Sequence, residues 1–321
     1  MTILPSARQT ACAAVAAALL VGCGASTTPV PSVFAFSRAA RSGMAPGAKK
    51  VGTLLYVSDA ATNSVYVYAY PAGRPEGTLS GFVGPSGLCS NAAGDVFVLS
   101  GGSATVGVYA HGAGSRLRTL TAPGYPSGCS VDPVTGNLAV STSGGHCASC
   151  VAVFARARGT PAVYRPHDRS GVAGCAYDNK GALYCDAYFN DGLDTKFFSL
   201  LVGHSKLKAI DVRHGLRLQG GALQWDGKDL AMGVGGGGTI CRIRIFGAKG
   251  RVVGFTRLVK NGLIPRFWLT STGAGMRVIA PTYGSGEAEV GYWNYPAGGS
   301  PTKTITGEFS QPQGVTLSSV E

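Results

Sequence analysis

The chain has 321 residues, of which 45% are apolar and only 14% charged, with a formal net charge of +12 and 49 glycines, about twice the usual share. The normal apolar content excludes an intrinsically disordered protein. Glycines that interrupt almost every apolar run, together with only 16 acids, exclude coiled coils and helical bundles, so an all-β body is expected.

The chain opens on an address. Arg8 precedes an apolar run from Ala11 to Leu20, too short to cross a bilayer, and the run ends in Leu20-Val21-Gly22-Cys23. This quartet resembles the lipobox of bacterial lipoproteins. The resemblance implies removal of residues 1–22, acylation of the Cys23 sulfur and a place in the bacterial cell envelope, lipid-anchored and extracytoplasmic. Gly24, rather than Asp, then implies the outer membrane if the host has one. Attachment through Cys23 needs more than one acyl chain, because a single chain anchors only marginally.

Residues 23–52 are rich in Ser, Thr, Pro, Ala and Gly, carry Arg38, Arg41, Lys49 and Lys50, and contain no acid beside them. They read as a flexible tether whose cations face anionic headgroups. With those charges and Arg8 set aside, residues 53–321 keep a net +7, which permits acidic partners. An exported chain without a basic helix or an aromatic RNA-binding motif is not expected to bind nucleic acid.

From residue 53 onward the chain repeats. Related segments begin at Pro85, Pro126, Val172, Leu218 and Ile264, each with a small-residue start, a short strand, a turn and a second apolar strand. The first apolar residues after the turns, Val96, Leu138, Leu183, Leu230 and Val278, are spaced by 42, 45, 47 and 48. Tyr70-Pro71-Ala72-Gly73 and Tyr295-Pro296-Ala297-Gly298 lie 225 residues apart, five periods of 45. Each period holds four short runs of strand character separated by Gly, Asn, Asp and Ser. One such sheet cannot bury both faces, but sheets repeated around an axis can, which is the β-propeller solution. Leu54 to Asp59 lacks an innermost strand before it, and Pro312 to Ser319 is an innermost strand with nothing after it. Pairing Gly314 to Ser318 with Leu54 to Ser58 would leave no open edge. The expected fold is therefore an all-β, six-bladed β-propeller over residues 53–321, closed by pairing of the C-terminal strand with the N-terminal blade.

The run LYVSDAATNSVYVY from Leu55 to Tyr68 resembles the NHL-type repeat, and the body is similar to NHL-like and gluconolactonase-like six-bladed propellers. That resemblance covers both enzymes and binding scaffolds, so the choice rests on side chains. The gluconolactonase-like alternative is a lactonase-like or sugar-acid-acting hydrolase, and it implies a divalent cation such as calcium in the central channel. Asp59, Asp186 and Asn190 are its candidate ligands, with Asp191 and Asp194 in the same acidic loop. No Glu occupies a matching strand end, Asp59 suits a structural role in its turn, and the primary expectation is no cofactor and no catalysis.

The favoured expectation is a binding module. Loops joining a fourth strand to the next first strand emerge on one face, and three in succession carry Arg165, His167 and Arg169, then Arg213, His214 and Arg217, then Lys260 and Arg266. Together they form a positive crescent for carboxylates or phosphates, because Arg offers a planar fork of donors. Tyr125, Tyr188 and Tyr283 fall in loops of the same face and suit stacking on sugar rings. The expected partners are the membrane, through Cys23, and an acidic small molecule, a glycan or an envelope protein; the chain is expected to act as a monomer.

Nine cysteines complete the reading. Cys147 and Cys150 suit a loop disulfide or two inert thiols rather than a zinc site, since CASC has no second pair. Cys175 and Cys185 flank a hairpin and are placed to bridge it. Cys89 and Cys129 recur at equivalent repeat positions, where a packing role is expected.

Overall fold

A computed structural model describes residues 42–147, 149–167, 171–188, 195–213 and 221–320. Six antiparallel meanders follow one another. The first contains β1 (Gly43–Met44), β2 (Thr53–Asp59), β3 (Ser64–Ala69) and β4 (Arg74–Leu79); the second β5 (Pro85–Ser90), β6 (Val96–Ser100), β7 (Thr105–Tyr109) and β8 (Arg116–Thr121). The third contains β9 (Tyr125–Val131), β10 (Leu138–Ser143), β11 (Ser149–Phe154) and β12 (Ala162–Tyr164); the fourth β13 (Gly171–Tyr177), β14 (Leu183–Tyr188), β15 (Thr195–Leu200) and β16 (Lys208–Arg213). The fifth contains β17 (Leu223–Trp225), β18 (Leu230–Val234), β19 (Thr239–Phe246) and β20 (Lys249–Arg257); the sixth β21 (Trp268–Thr272), β22 (Gly275–Thr282), β23 (Glu289–Tyr295) and β24 (Gly298–Thr306), before the final β25 (Pro312–Ser319).

The repeated sequence pattern has a local cause. In the turn between the first two strands of successive meanders, an Asp side chain replaces a missing backbone partner: Asp132 accepts from Val134 N–H, Asp178 from Lys180 and Ala182, and Asp226 from Lys228 and Asp229. These Asx turns let the strand reverse at a fixed offset, and glycines at φ +72° (Gly136), +83° (Gly181) and +94° (Gly227) complete them. Both Tyr-Pro-Ala-Gly copies form the turn between third and fourth strands, and both Tyr–Pro peptide bonds are cis.

Packing follows from strands buried on both faces. In β2, Leu54 and Tyr56 point into a cluster shared with the second meander, while Leu55 and Val57 point into one shared with the sixth. Among the described residues six such clusters occur, one at each junction between consecutive meanders, and that of Leu55, Tyr292, Val290 and Leu317 joins the last meander to the first. The innermost strands β25, β5, β9, β13, β17 and β21 each touch the next, and β21 touches β25. The end strands pair antiparallel, Leu54 opposite Ser318 and Ser58 opposite Gly314.

Two expectations need correction. Six separate sheets are not found: the described strands form five, because the fourth and fifth meanders merge into one eight-stranded sheet. The seam is a parallel pairing of their outermost strands, β16 with β20, from Asp211 opposite Lys249 to Arg213 opposite Arg251. The long β19–β20 hairpin reaches across, and Gly250 permits the approach, since a Cβ there would lie 3.0 Å from Val212 Cγ2. The folded body also begins before residue 53. β1 pairs with β4, Ala48 is fully buried, and His111 Nε2 donates to Val51 O at 2.6 Å, so residues 42–52 belong to the body rather than the tether. Residues 1–41, with the lipobox and Cys23, lie outside the described residues.

The cysteines bring a third correction. Cys147–Cys150 and Cys175–Cys185 are disulfides, and so is Cys89–Cys129, which was assigned to packing. The cause is the close passage of inner strands: a Cβ on Gly87 would lie 2.5 Å from Ser127 O, and this contact brings the Cys89 and Cys129 Cα atoms to 5.8 Å. Cys241 stays a buried thiol, and burial pushes its pKa up to about 12.

Candidate functional site: the loop face and the axis

The ends of the second strands and the loops that lead into the innermost strands gather on one face, above the axis. Three second-strand residues there clasp neighbouring inner strands. The Ser58 hydroxyl lies between Ser86 O and Gly314 O, and the Ser141 hydroxyl between Gly128 O and Ala173 O, 3.2 Å from each. Asp186 does the same with reversed polarity: its two carboxylate oxygens accept Gly174 N–H at 2.7 Å and Gly221 N–H at 2.8 Å. Asp186 is fully buried, and desolvation pushes its pKa up to about 7 despite those bonds. The glycines opposite these clasps are required by the crowding, since a Cβ on Gly174 would lie 2.6 Å from Gly221 O.

Asp59, also fully buried, takes four N–H groups. One oxygen accepts from Ala61 and Thr62, both at 3.1 Å, and the other from Ser310 at 2.7 Å and Gln311 at 3.0 Å. Both candidate acids are thus surrounded by positively polarised donors, an arrangement that opposes a cation. Asn190, the third candidate ligand, lies outside the described residues. Among those described, no three His, Cys, Asp or Glu side chains converge.

The axis itself is narrow. A cavity of about 30 Å³ is bounded by Gly87, Gly128, Gly174, Arg266 and Phe267, room for a water or two and not for a lactone ring.

The described members of the expected crescent fall in different settings. Arg165, His167, Tyr125 and Tyr188 are exposed on the loop face, and Lys260 is half-buried there, with its pKa lowered by burial. Arg169, His214 and Arg217 lie outside the described residues, as does the Arg213 side chain at the end of β16. Arg266 is not on the rim: it stands just before β21 and lines the axial cavity. Tyr283 is half-buried and near enough to Arg266 to influence it electrostatically, while its backbone bridges to Leu263. Charge-based reading missed the apolar members of the face, Val83, Val259 and Leu263, exposed by 54%, 60% and 50%. Their signal was present as large apolar residues in the loops between strand runs.

No family model and no curated protein matches this chain. Its fold does match solved structures, and it is that of a β-propeller. A chain of the nidogen/laminin complex superposes with a TM-score of 0.63 at 14% identity, over 83% of this chain and 98% of that one. A protein of unknown function from Bacteroides caccae gives 0.59 at 12%, over 83% and 99%. The β-propeller domain of Cps50 (Swd1) from Myceliophteria thermophila gives 0.56 at 12%, over 86% and 90%. Identities this low speak for the fold alone.

Proposed function

We propose that the chain is a lipid-anchored binding module: a propeller of six blades, two of them fused at their outer edges, closed where β25 meets β2, held to an envelope membrane through Cys23, and recognising an acidic small molecule, glycan or protein partner on its loop face. The observation that carries the reading is the contrast between face and axis. Loops and strand ends of this face carry Tyr125, Tyr188, Val83 and Leu263 as well as Arg165, His167 and Lys260, an aromatic and cationic composition suited to adhesion to anionic, ring-bearing ligands. The axial cavity has no room for a sugar or lactone ring, and Asp59 and Asp186 are committed to backbone donors. The complex formed by the nidogen/laminin neighbour lends the protein-partner form of the reading a precedent in fold only. A metal-dependent hydrolase would require those carboxylates to give up their N–H partners.

The test is binding to an immobilised acidic polysaccharide such as polygalacturonate across a salt series. Binding that weakens as salt rises and falls at least tenfold in Arg165→Ala/His167→Ala and in Tyr125→Ala supports the module. Binding indifferent to salt and to all three substitutions removes it.

A further inference from the structure

Several acids of the body are already engaged: Asp132, Asp178 and Asp226 in turns, Asp59 and Asp186 with backbone N–H groups, Asp229 in a bidentate pair with Arg244. Arg266 has no such partner. It lines the axial cavity, makes no hydrogen bond or ion pair among the described residues, and lies near the phenol of Tyr283. A guanidinium half-buried beside a narrow cavity without a counter-charge is partly stripped of water and uncompensated. The side chain is half-buried and meets the cavity, and the desolvation there pulls its pKa down to about 10. Asp186 is committed instead to the Gly174 and Gly221 N–H groups.

From this placement we infer that the axial cavity receives a single carboxylate group, held end-on by the fork of Arg266. The inference rests on the acidic-ligand reading of the loop face and gives it a chemistry. About 30 Å³ accepts the three heavy atoms of a carboxylate in place of water but excludes a sugar ring, so the ligand's body stays above, against Tyr125 and Tyr188. A planar carboxylate matches two parallel N–H donors of a guanidinium. The cavity lies among the first few residues of the innermost strands, at the end that bears the loops.

The experiment is thermal unfolding of the full chain with sodium acetate, sodium chloride at matched ionic strength, and neutral acetamide. Acetate is expected to raise the midpoint by several degrees over the other two, because a ligand that binds only the folded form stabilises it. Arg266→Met is expected to abolish the response and, without ligand, to melt no lower than the parent, since it removes a partly desolvated charge that has no counter-ion. Arg266→Lys, which keeps the charge but loses the fork, is expected to respond more weakly. A parent that ignores acetate while Arg266→Met melts well below it makes Arg266 a structural plug and overturns the inference. An equal response to chloride and acetate overturns the carboxylate assignment. Arg165→Ala/His167→Ala separates the two readings: an acetate response kept while polysaccharide binding fails in every form of the chain sinks the rim alone, and polysaccharide binding kept without any acetate response sinks the axial site alone.

Discussion

Asp186 sets a stability profile whose sign is opposite to that of an ordinary salt-bridged aspartate. Its carboxyl is displaced from an unfolded value of about 3.9 to about 7 in the fold, with desolvation the leading cause. Between those values the folded chain holds a proton that the unfolded chain has lost, so this contribution is complete below about pH 4, declines as pH rises, and is gone above about pH 7. At roughly 1.4 kcal/mol per tenfold, the whole displacement is worth about 4 kcal/mol, and the part between pH 5 and pH 8 about 3 kcal/mol. The assay is urea unfolding at pH 5, 6, 7 and 8 for the parent and for Asp186→Asn, the difference between the two chains cancelling every contribution they share. The parent is expected to lose about 3 kcal/mol relative to the variant across that range. The variant itself starts lower by about 1–3 kcal/mol, because its amide can accept only one of the Gly174 and Gly221 N–H groups. A parent and a variant with parallel pH profiles refute the reasoning. So does calcium that stabilises the parent and not the variant, since it would show the carboxylate facing a cation rather than two N–H groups.

Two further expectations concern the contacts between meanders. Removing the Cys89–Cys129 bridge by paired Ser substitution opens a loop of sequence separation 40 and is expected to cost about 4 kcal/mol on loop entropy, read as a lower urea midpoint; an unchanged midpoint would show that glycine-to-strand packing alone holds the second and third meanders. Gly291→Ala places a Cβ 2.2 Å from Cη2 of the fully buried Trp293 and is expected to cost about 1–3 kcal/mol or more through overpacking, whereas Gly47→Ala, with open space around it, serves as the neutral control; equal stability of the two variants would contradict the packing described for the sixth meander.

The meander rhythm was legible in the sequence because its causes are local. An Asp or Asn that caps its own turn, a glycine at positive φ and alternating apolar residues all act within a dozen residues, so the strand runs and the two unpaired end strands could be placed from spacing alone. Cys175 and Cys185 were legible for the same reason, being opposite each other in one hairpin. What escaped depends on how separate meanders approach. The β16–β20 seam needs the extra length of the fifth hairpin and the absence of a side chain at Gly250. Cys89 and Cys129 meet only because glycines bring the inner strands together. Arg266 was grouped with the rim charges because it sits in a loop, but the short connection to β21 turns it toward the axis. Asp186 looked like a metal ligand because residue type and strand position suggest an open channel, whereas its neighbours Gly174 and Gly221 supply two donors at closer than 3 Å.

The central claim is that β25, paired with β2 and packed against the sixth meander, supports the proposed loop face. Amide hydrogen exchange along Thr53–Asp59, compared between the full chain and a chain ending at Gln311, tests it most directly, because β25 is the partner on one side of β2 and contributes Val315 and Leu317 to the seam cluster. The account expects the truncated chain to lose protection in β2 and in the sixth meander together and to bind acidic polysaccharide poorly. Protection of β2 that survives truncation, with binding intact, would contradict it.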